Sequence, residues 1–163
     1  MTTIVYRDGV LASDTRAYSG HATPIGTKRK IHRRRDGAMF GVSTAAPGLS
    51  EQVARWYLDD KNMDLLPQLG PEDGFDMLEI DKDGQVFIYH DSIHPTGPLT
   101  APYFTVGSGA NYAIGALEMG ASAVEAVRVA ITNDPWTGGH IETLTRPGEC
   151  AAADKEETSC DSN

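Results

Sequence analysis

The residue with the most direct chemical potential is Thr2, which follows Met1. Methionine is commonly excised before a small side chain, and its removal here would leave a free α-amine beside a β-hydroxyl. An α-amine has an ordinary pKa of about 7.7 to 8.0, so it accepts a proton near neutral pH without a histidine. A threonine hydroxyl activated by its own terminal amine is a known nucleophile. Taken alone, however, a Thr at this position is more often the frayed end of a strand.

The segment that carries Thr2 is predicted to be the first arm of a β-hairpin. Residues 2–6 are β-branched and aromatic, Arg7-Asp8-Gly9 is a strong turn signal, and residues 10–13 form the second arm. A polar connection over 15–27 leads to a second hairpin that turns at Asp36-Gly37, with arms at 30–34 and 38–43. We therefore expect four strands before the first helix.

The later segments predict three helices and further strands. Leu49, Val53, Trp56 and Tyr57 recur at helical spacing and predict an amphipathic helix over about 50–61. The elements expected after it are a loop (62–76), a hairpin (77–89), a loop (92–102), a short strand (103–106), two helices (110–119 and 122–132) and a last strand (140–145). Hairpins with segregated helices indicate an α+β fold in which two antiparallel sheets pack face to face between outer helices.

Length and composition limit the possible classes of protein. The 163 residues suffice for one hydrophobic core, so we expect one domain over 1–146 and a disordered acidic tail over 147–163. The net charge of −9 argues against nucleic-acid binding, and the basic run at 28–35 is interpreted as a solvated hairpin edge. Because no signal peptide or membrane-spanning apolar run is present, a cytoplasmic protein without membrane contact is expected.

Four stretches of the chain resemble the proteasome β-subunits and HslV-type peptidases, a family of N-terminal-nucleophile (Ntn) hydrolases. The hairpin over 2–17 looks like the family's opening hairpin, and Lys30 follows Asp14 by the 16 residues that separate the family's active-site Asp and Lys. Gly107-Ser108-Gly109 resembles the start of the family's third helix, and Asp134-Pro135-Trp136-Thr137-Gly138-Gly139 resembles its Asp-Ala-Tyr-Ser-Gly-Gly loop. The resemblance covers about residues 2–145 and implies a four-layer αββα sandwich.

The resemblance also implies a role for each matching residue. The Thr2 hydroxyl attacks the scissile carbonyl of a peptide or unfolded protein, and the Thr2 amine takes the proton. Lys30 keeps that amine neutral and offers positive potential to the alkoxide, while Asp14 holds Lys30 in place. Three further residues orient the amine and a water molecule: Ser108, Asp134 and Thr137. No metal or other cofactor is implied.

Each of these residues also has a purely structural interpretation. Asp14 is a possible turn cap, Lys30 a solvated strand lysine and Ser108 the N-cap of the following helix. Both arms of the first hairpin look about two residues shorter than in the bacterial relatives. Equal, even shortening is expected to keep Thr2 opposite Asp14 and both on one face of the sheet.

Two departures from the family pattern affect the expected activity. Where the family usually has a glycine whose backbone N–H helps to form the oxyanion hole, this chain has Thr44 or Ala45. A side chain there could crowd the substrate, and losing one such donor costs about 2.7 to 4 kcal/mol. The family's second helix is replaced by the loop over 62–76. Since that helix packs between stacked rings in the family, a two-ring barrel is no more expected than a single ring, a dimer or a different assembly partner, and the expected form is a homo-oligomer, either a ring or a dimer.

Three functions remain open at this point. The first is a threonine endopeptidase, with any ATPase as a separate partner because the chain has no Walker motif. The second is a proteasome-like structural or assembly protein with little or no activity, which the Thr44 region and the missing helix favour. The third is an Ntn amidase that acts on a small amide and shares Thr2.

Overall fold

The computed structural model describes residues 2–19, 23–70 and 73–146. The predicted tail over 147–163 lies outside these residues, as does Met1. The first hairpin forms where the sequence predicts it, from β1 (Thr3–Arg7) and β2 (Val10–Asp14). Asp8 and Gly9 between them have φ of 48° and 76°. These values suit a two-residue type I′ turn, whose twist matches that of the flanking strands.

The register of this hairpin corrects one prediction. Arg7 lies opposite Val10 and Ile4 opposite Ser13, so the ladder brings Thr3, not Thr2, to Asp14. In a hairpin with a two-residue turn, the pair that closes the turn determines which residues lie opposite each other along both strands. The lengths of the two arms alone do not give this register. The Thr3 N–H accordingly donates to the Asp14 carboxylate at 3.0 Å, and Thr2 lies just before the strand.

Two antiparallel sheets form the centre of the molecule. In the four-stranded sheet, β1 and β2 lie between β10 (Tyr103–Gly107) and β11 (Ile141–Thr145). The five-stranded sheet contains, in spatial order, β5 (Ile31–Arg33), β6 (Met39–Thr44), β7 (Phe75–Ile80), β8 (Val86–His90) and β9 (Thr96–Leu99). The basic run thus leads into an edge strand, as predicted. β9 was predicted as loop because of Gly97 and Pro98, but an edge strand tolerates a proline.

A separate two-stranded ribbon lies where a polar connection was predicted. It consists of β3 (Arg16–Ser19) and β4 (Thr23–Thr27), with a register shift between Ala17 and Tyr18. Pro24 and Gly26 concealed the strand character of this segment in the sequence. Six strands therefore precede the first helix instead of four.

Helices cover the outer face of each sheet. α1 (Leu49–Leu58) packs on the five-stranded sheet, whereas α2 (Ala110–Glu118) and α3 (Ala123–Asn133) pack on the four-stranded sheet. Three layers of apolar side chains join these elements: Val53, Trp56 and Phe40 under α1, Ile4, Leu11, Leu78 and Ile80 between the sheets, and Val5, Ala12, Ala126 and Val127 under α3. The architecture is the predicted four-layer αββα sandwich.

The segment between α1 and β7 contains only the short 3₁₀ turn Met63–Leu65 among its described residues. The family's second helix is therefore absent from this place, as predicted. Four apolar side chains in and beside this segment are 39–66% exposed: Leu58, Met63, Leu66 and Leu69. Among the described helices, none is long and apolar enough to span a membrane.

Candidate active site

Thr2 lies immediately before β1 and is only 3% exposed. Its nitrogen donates a hydrogen bond to Ser108 Oγ at 3.3 Å. This nitrogen is an amide while Met1 is attached and becomes the α-amine once Met1 is removed. The contact with Ser108 therefore marks where that amine would lie.

The glycines around Ser108 allow the close approach of two backbones. Gly107 has a φ of 100°, and a Cβ at this position would overlap the carbonyl oxygen of Thr2. A Cβ at Gly109 would likewise overlap Thr3 Oγ1. Because glycine has no Cβ, it accepts the positive φ at position 107 and the close contacts at both positions. The two glycines thus bring Ser108 against the start of β1.

Asp134 anchors a chain of hydroxyl groups beside Thr2. Its Oδ2 accepts hydrogen bonds from Ser108 Oγ at 2.7 Å and from Thr137 Oγ1 at 2.6 Å. Because a hydroxyl has one proton and Ser108 directs it to Asp134, the Ser108 oxygen is left to accept from Thr2 N. Thr137 Oγ1, the second hydroxyl bound to Asp134, also lies 2.7 Å from Thr3 Oγ1. The three residues predicted to orient the amine are thus brought together.

Lys30 and Asp14 form a buried ion pair beside the start of β1. Lys30 Nζ lies 3.0 Å from both carboxylate oxygens of Asp14, and the side chains are 1% and 0% exposed. Backbone N–H groups of Thr3 and Gly138 donate to the same carboxylate at 3.0 and 2.9 Å. Burial lowers the pKa of the Lys30 ammonium, which Asp14 opposes and the nearby cations Lys28 and Arg16 reinforce.

These contacts exclude the structural interpretations of two residues, Lys30 and Ser108. Lys30 is buried rather than solvated, and its carbonyl accepts from Val42 N–H at 3.1 Å, which ties it to β6. The N-cap of α2 is Gly109, so Ser108 does not cap this helix. The catalytic roles of these residues stay predictions, since contacts alone do not show turnover.

The chain matches known proteins in tertiary structure but not in sequence. No protein-family model and no curated protein match the chain by sequence. Among solved structures, Thiobacillus denitrificans BPH matches with a TM-score of 0.61 at 18% identity, over 88% of this chain and 95% of that chain. The structure described as "Thiobacillus denitrificans BPH in complex with Epoxomicin" matches with a TM-score of 0.58 at 18% identity, over 88% and 96%. Eukaryotic HslV from Trypanosoma brucei matches with a TM-score of 0.60 at 13% identity, over 88% and 97%.

The fold is that of the HslV-type peptidases. The resemblance of a few short stretches in the sequence therefore extends to the tertiary structure of most of the chain. At 13–18% identity the match concerns the HslV-type fold alone.

The predicted oxyanion segment lies at the end of β6. The Thr44 hydroxyl donates to the Gly74 carbonyl at 2.7 Å and accepts from the Ala46 N–H at 3.0 Å. Both contacts fix the Thr44 side chain against its own loop and against the segment before β7. Thr44 and Ala45 together line the cavity that contains Thr2.

A cleft of about 340 Å³ contains Thr2 and is bounded by the ribbon β3–β4 and the start of α1. We call this the Thr2 cleft. A larger cavity of about 570 Å³ lies beside it along α1 and shares Val42, Ser50 and Glu51 with it. Although larger, this second cavity does not include Thr2 among its lining residues.

Several groups that build the site were not predicted from the sequence. Thr3 and the backbone N–H of Gly138 contact predicted site residues, and the ribbon β3–β4 lines the Thr2 cleft, yet none of them was assigned a role. Tyr18 in the ribbon donates to the Pro135 carbonyl at 2.5 Å and packs edge-on against Trp136, 5.5 Å between ring centroids. Two aromatic residues 118 positions apart give no local signal. Only the HslV-type fold brings them together.

Gly107→Ala is expected to disable the site, because the added Cβ collides with the Thr2 carbonyl in a left-handed backbone. We expect labelling by an active-site probe to fall at least about tenfold and the unfolding free energy to fall by 1 kcal/mol or more, on the order of other glycine substitutions at positive φ. Probe labelling and thermal denaturation measure these effects.

Gly120→Ala is the matched control. Gly120 has a φ of 93°, but a Cβ there would meet no atom within 4 Å. It should lose similar stability and keep its labelling. Equal loss of labelling in both variants would mean that backbone strain, rather than contact with Thr2, explains the Gly107 result.

Proposed function

We propose that the protein is a threonine peptidase that uses Thr2 as its nucleophile after removal of Met1. The observation that carries this proposal is the hydrogen bond of Thr2 N to Ser108, whose own proton is held by Asp134. In this arrangement the amine nitrogen donates one proton to Ser108, and its lone pair is the base of the proposed reaction. An amine beside a hydroxyl on the same residue is what an N-terminal nucleophile requires.

The reaction proceeds in two steps of acyl transfer. The Thr2 oxygen forms a bond to the scissile carbonyl carbon while its proton passes to the Thr2 amine, directly or through one water. The tetrahedral intermediate then collapses, the C–N bond of the substrate breaks, and the ammonium returns the proton to the departing amine. Water attacks the resulting ester by the same path, releasing the acid product and restoring the Thr2 hydroxyl.

In this proposal the buried pair of Lys30 and Asp14, which contacts the Thr3 N–H, supplies a fixed positive charge near the start of β1. An ammonium in a low-dielectric environment disfavours a second positive charge nearby, so it lowers the pKa of the Thr2 amine and keeps that amine available as a base. The carboxylate holds the ammonium at 3.0 Å. Thr44 or Ala45 provides the backbone N–H for the oxyanion.

The proposed substrate is a peptide or unfolded protein, and the proposed working form is a homo-oligomer, with any ATPase a separate protein. Two features support self-association. Every described residue of β4 is exposed, including Ile25 at 65%. The apolar residues where the second helix is absent are also exposed. Apolar surface of this kind is typical of protein–protein contacts.

Intact mass spectrometry combined with epoxomicin tests the proposal. Epoxomicin was bound to BPH in one of the matching structures, and its ketone and epoxide offer two electrophilic carbons to the hydroxyl and amine of one N-terminal residue. We expect a mass that lacks Met1 and a single adduct that peptide mapping places on Thr2. Retention of Met1 would contradict the proposal. Absence of any adduct on a chain without Met1 would favour the structural or assembly role.

A further inference from the structure

The charges that line the Thr2 cleft do not cancel. Three ionisable side chains line it near the ribbon and the start of α1: Arg16, Lys28 and Glu51. Lys28 Nζ lies 2.9 Å from Glu51 Oε1 and donates to Ser50 Oγ at 2.7 Å. The second Glu51 oxygen accepts from the Ser50 hydroxyl at 2.9 Å. Lys28 and Glu51 therefore neutralise each other, and both are already bound.

Arg16 provides the charge that remains. Its guanidinium is half-buried and lies against Gly138, where a Cβ would overlap it. Its hydrogen-bond partner is the neutral Tyr18 hydroxyl, at 3.3 Å. Across the described ranges 2–19, 23–70 and 73–146, no carboxylate lies within 4.0 Å of Arg16. Asp14, two residues before Arg16 in the chain, forms its ion pair with Lys30.

A half-buried guanidinium with a neutral partner is suited to bind an anion. Its planar set of N–H donors matches the two oxygens of a carboxylate, and partial burial strengthens such a bond relative to one in open water. We place in the Thr2 cleft the side chain of the residue whose carbonyl is attacked, because that side chain is attached to the carbon next to the reacting carbonyl and Thr2 lines this cleft.

We propose that Arg16 selects substrates with an acidic residue on the acyl side of the cleaved bond. This inference rests on the proposed peptidase function and adds a substrate class to it. With Lys28 and Glu51 paired to each other, the Arg16 charge favours Glu over an apolar or basic side chain at this position. A basic side chain is disfavoured because it would face Arg16 and Lys28 with its only possible partner, Glu51, engaged.

Fluorogenic peptide amides that differ only in the acyl-side residue test the inference. With Glu, Gln, Leu and Arg in this position, we expect kcat/KM for Glu to exceed that for Gln, its neutral isostere, by at least about tenfold at low salt, and to exceed that for Arg by more. Arg16→Gln should bring the Glu-to-Gln ratio close to one. Arg29→Gln is the matched control, because Arg29 is exposed and lines the neighbouring cavity instead of the Thr2 cleft; it should leave the ratio unchanged.

Epoxomicin labelling of each variant separates this inference from the peptidase proposal. Labelled wild type that shows no preference for Glu overturns the inference and leaves the peptidase proposal standing. A Glu preference that persists in labelled Arg16→Gln also overturns it, as does an equal loss of the preference in Arg29→Gln, which would indicate overall charge. Wild type that is neither labelled nor active overturns both proposals.

Discussion

Thr2→Ala is expected to abolish peptide hydrolysis, with a loss on the order of 10³- to 10⁶-fold in kcat, as for loss of a nucleophile that acts together with its base. Alanine keeps a small side chain after Met1, so Met1 should still be removed and the free amine retained. The variant then differs from wild type in the hydroxyl and the neighbouring methyl group of residue 2. Hydrolysis of a fluorogenic peptide, with intact mass to verify the N-terminus, measures the effect.

Thr2→Ser is the matched comparison for this variant. It keeps the hydroxyl and the amine and removes only a methyl group, so we expect it to retain activity within about one to two orders of magnitude of wild type. Residual hydrolysis by Thr2→Ala at the level of Thr2→Ser would show that another residue is the nucleophile. The network around Ser108 would then have a structural role alone.

Asp14→Asn is expected to produce the second large effect, because it leaves the Lys30 ammonium buried beside a neutral amide. Removing one member of a buried ion pair lowers the unfolding free energy by about 3 to 5 kcal/mol. We also expect hydrolysis to fall at least about 100-fold, since Lys30 loses the group that positions it. Chemical denaturation and peptide hydrolysis on the same preparation measure both quantities.

The double variant Asp14→Asn/Lys30→Met separates catalysis from stability. With both charges removed, no buried charge lacks a partner, so much of the stability should return. Activity should not return, because the positive charge near the Thr2 amine is gone. Recovery of both properties would mean that the pair only stabilises the fold.

The dependence of stability on pH provides a further check on Lys30. Burial lowers the pKa of Lys30 from its ordinary value of 10.5. Between the folded and unfolded pKa values the unfolded chain binds the additional proton, so the contribution of Lys30 to stability rises with pH over that window. The unfolding free energy of wild type should therefore increase relative to that of Lys30→Met as the pH rises toward about 10.5. A difference that is constant with pH would contradict the lowered pKa.

The sequence predicted the elements of the fold well where local chemistry was strong. The turn at Asp8-Gly9 and the helical spacing in α1 each depend on residues that are close in the chain. The ribbon β3–β4 and the edge strand β9 were missed for the opposite reason. Their Gly and Pro content favours a loop locally, and the pairing that makes them strands comes from neighbouring segments.

The sequence by itself determined that Thr2, Asp14, Lys30, Ser108, Asp134 and Thr137 are the candidate residues, because residue types and their order along the chain can be read directly. Tertiary structure alone decided how they meet. It placed Thr3 opposite Asp14, bound Thr2 N to Ser108, and buried Lys30 against its carboxylate. It also left the Arg16 guanidinium in the Thr2 cleft with no carboxylate partner among the described residues. Burial and pairing depend on segments more than 120 residues apart, such as Asp14 and Gly138, and a linear pattern does not contain those distances.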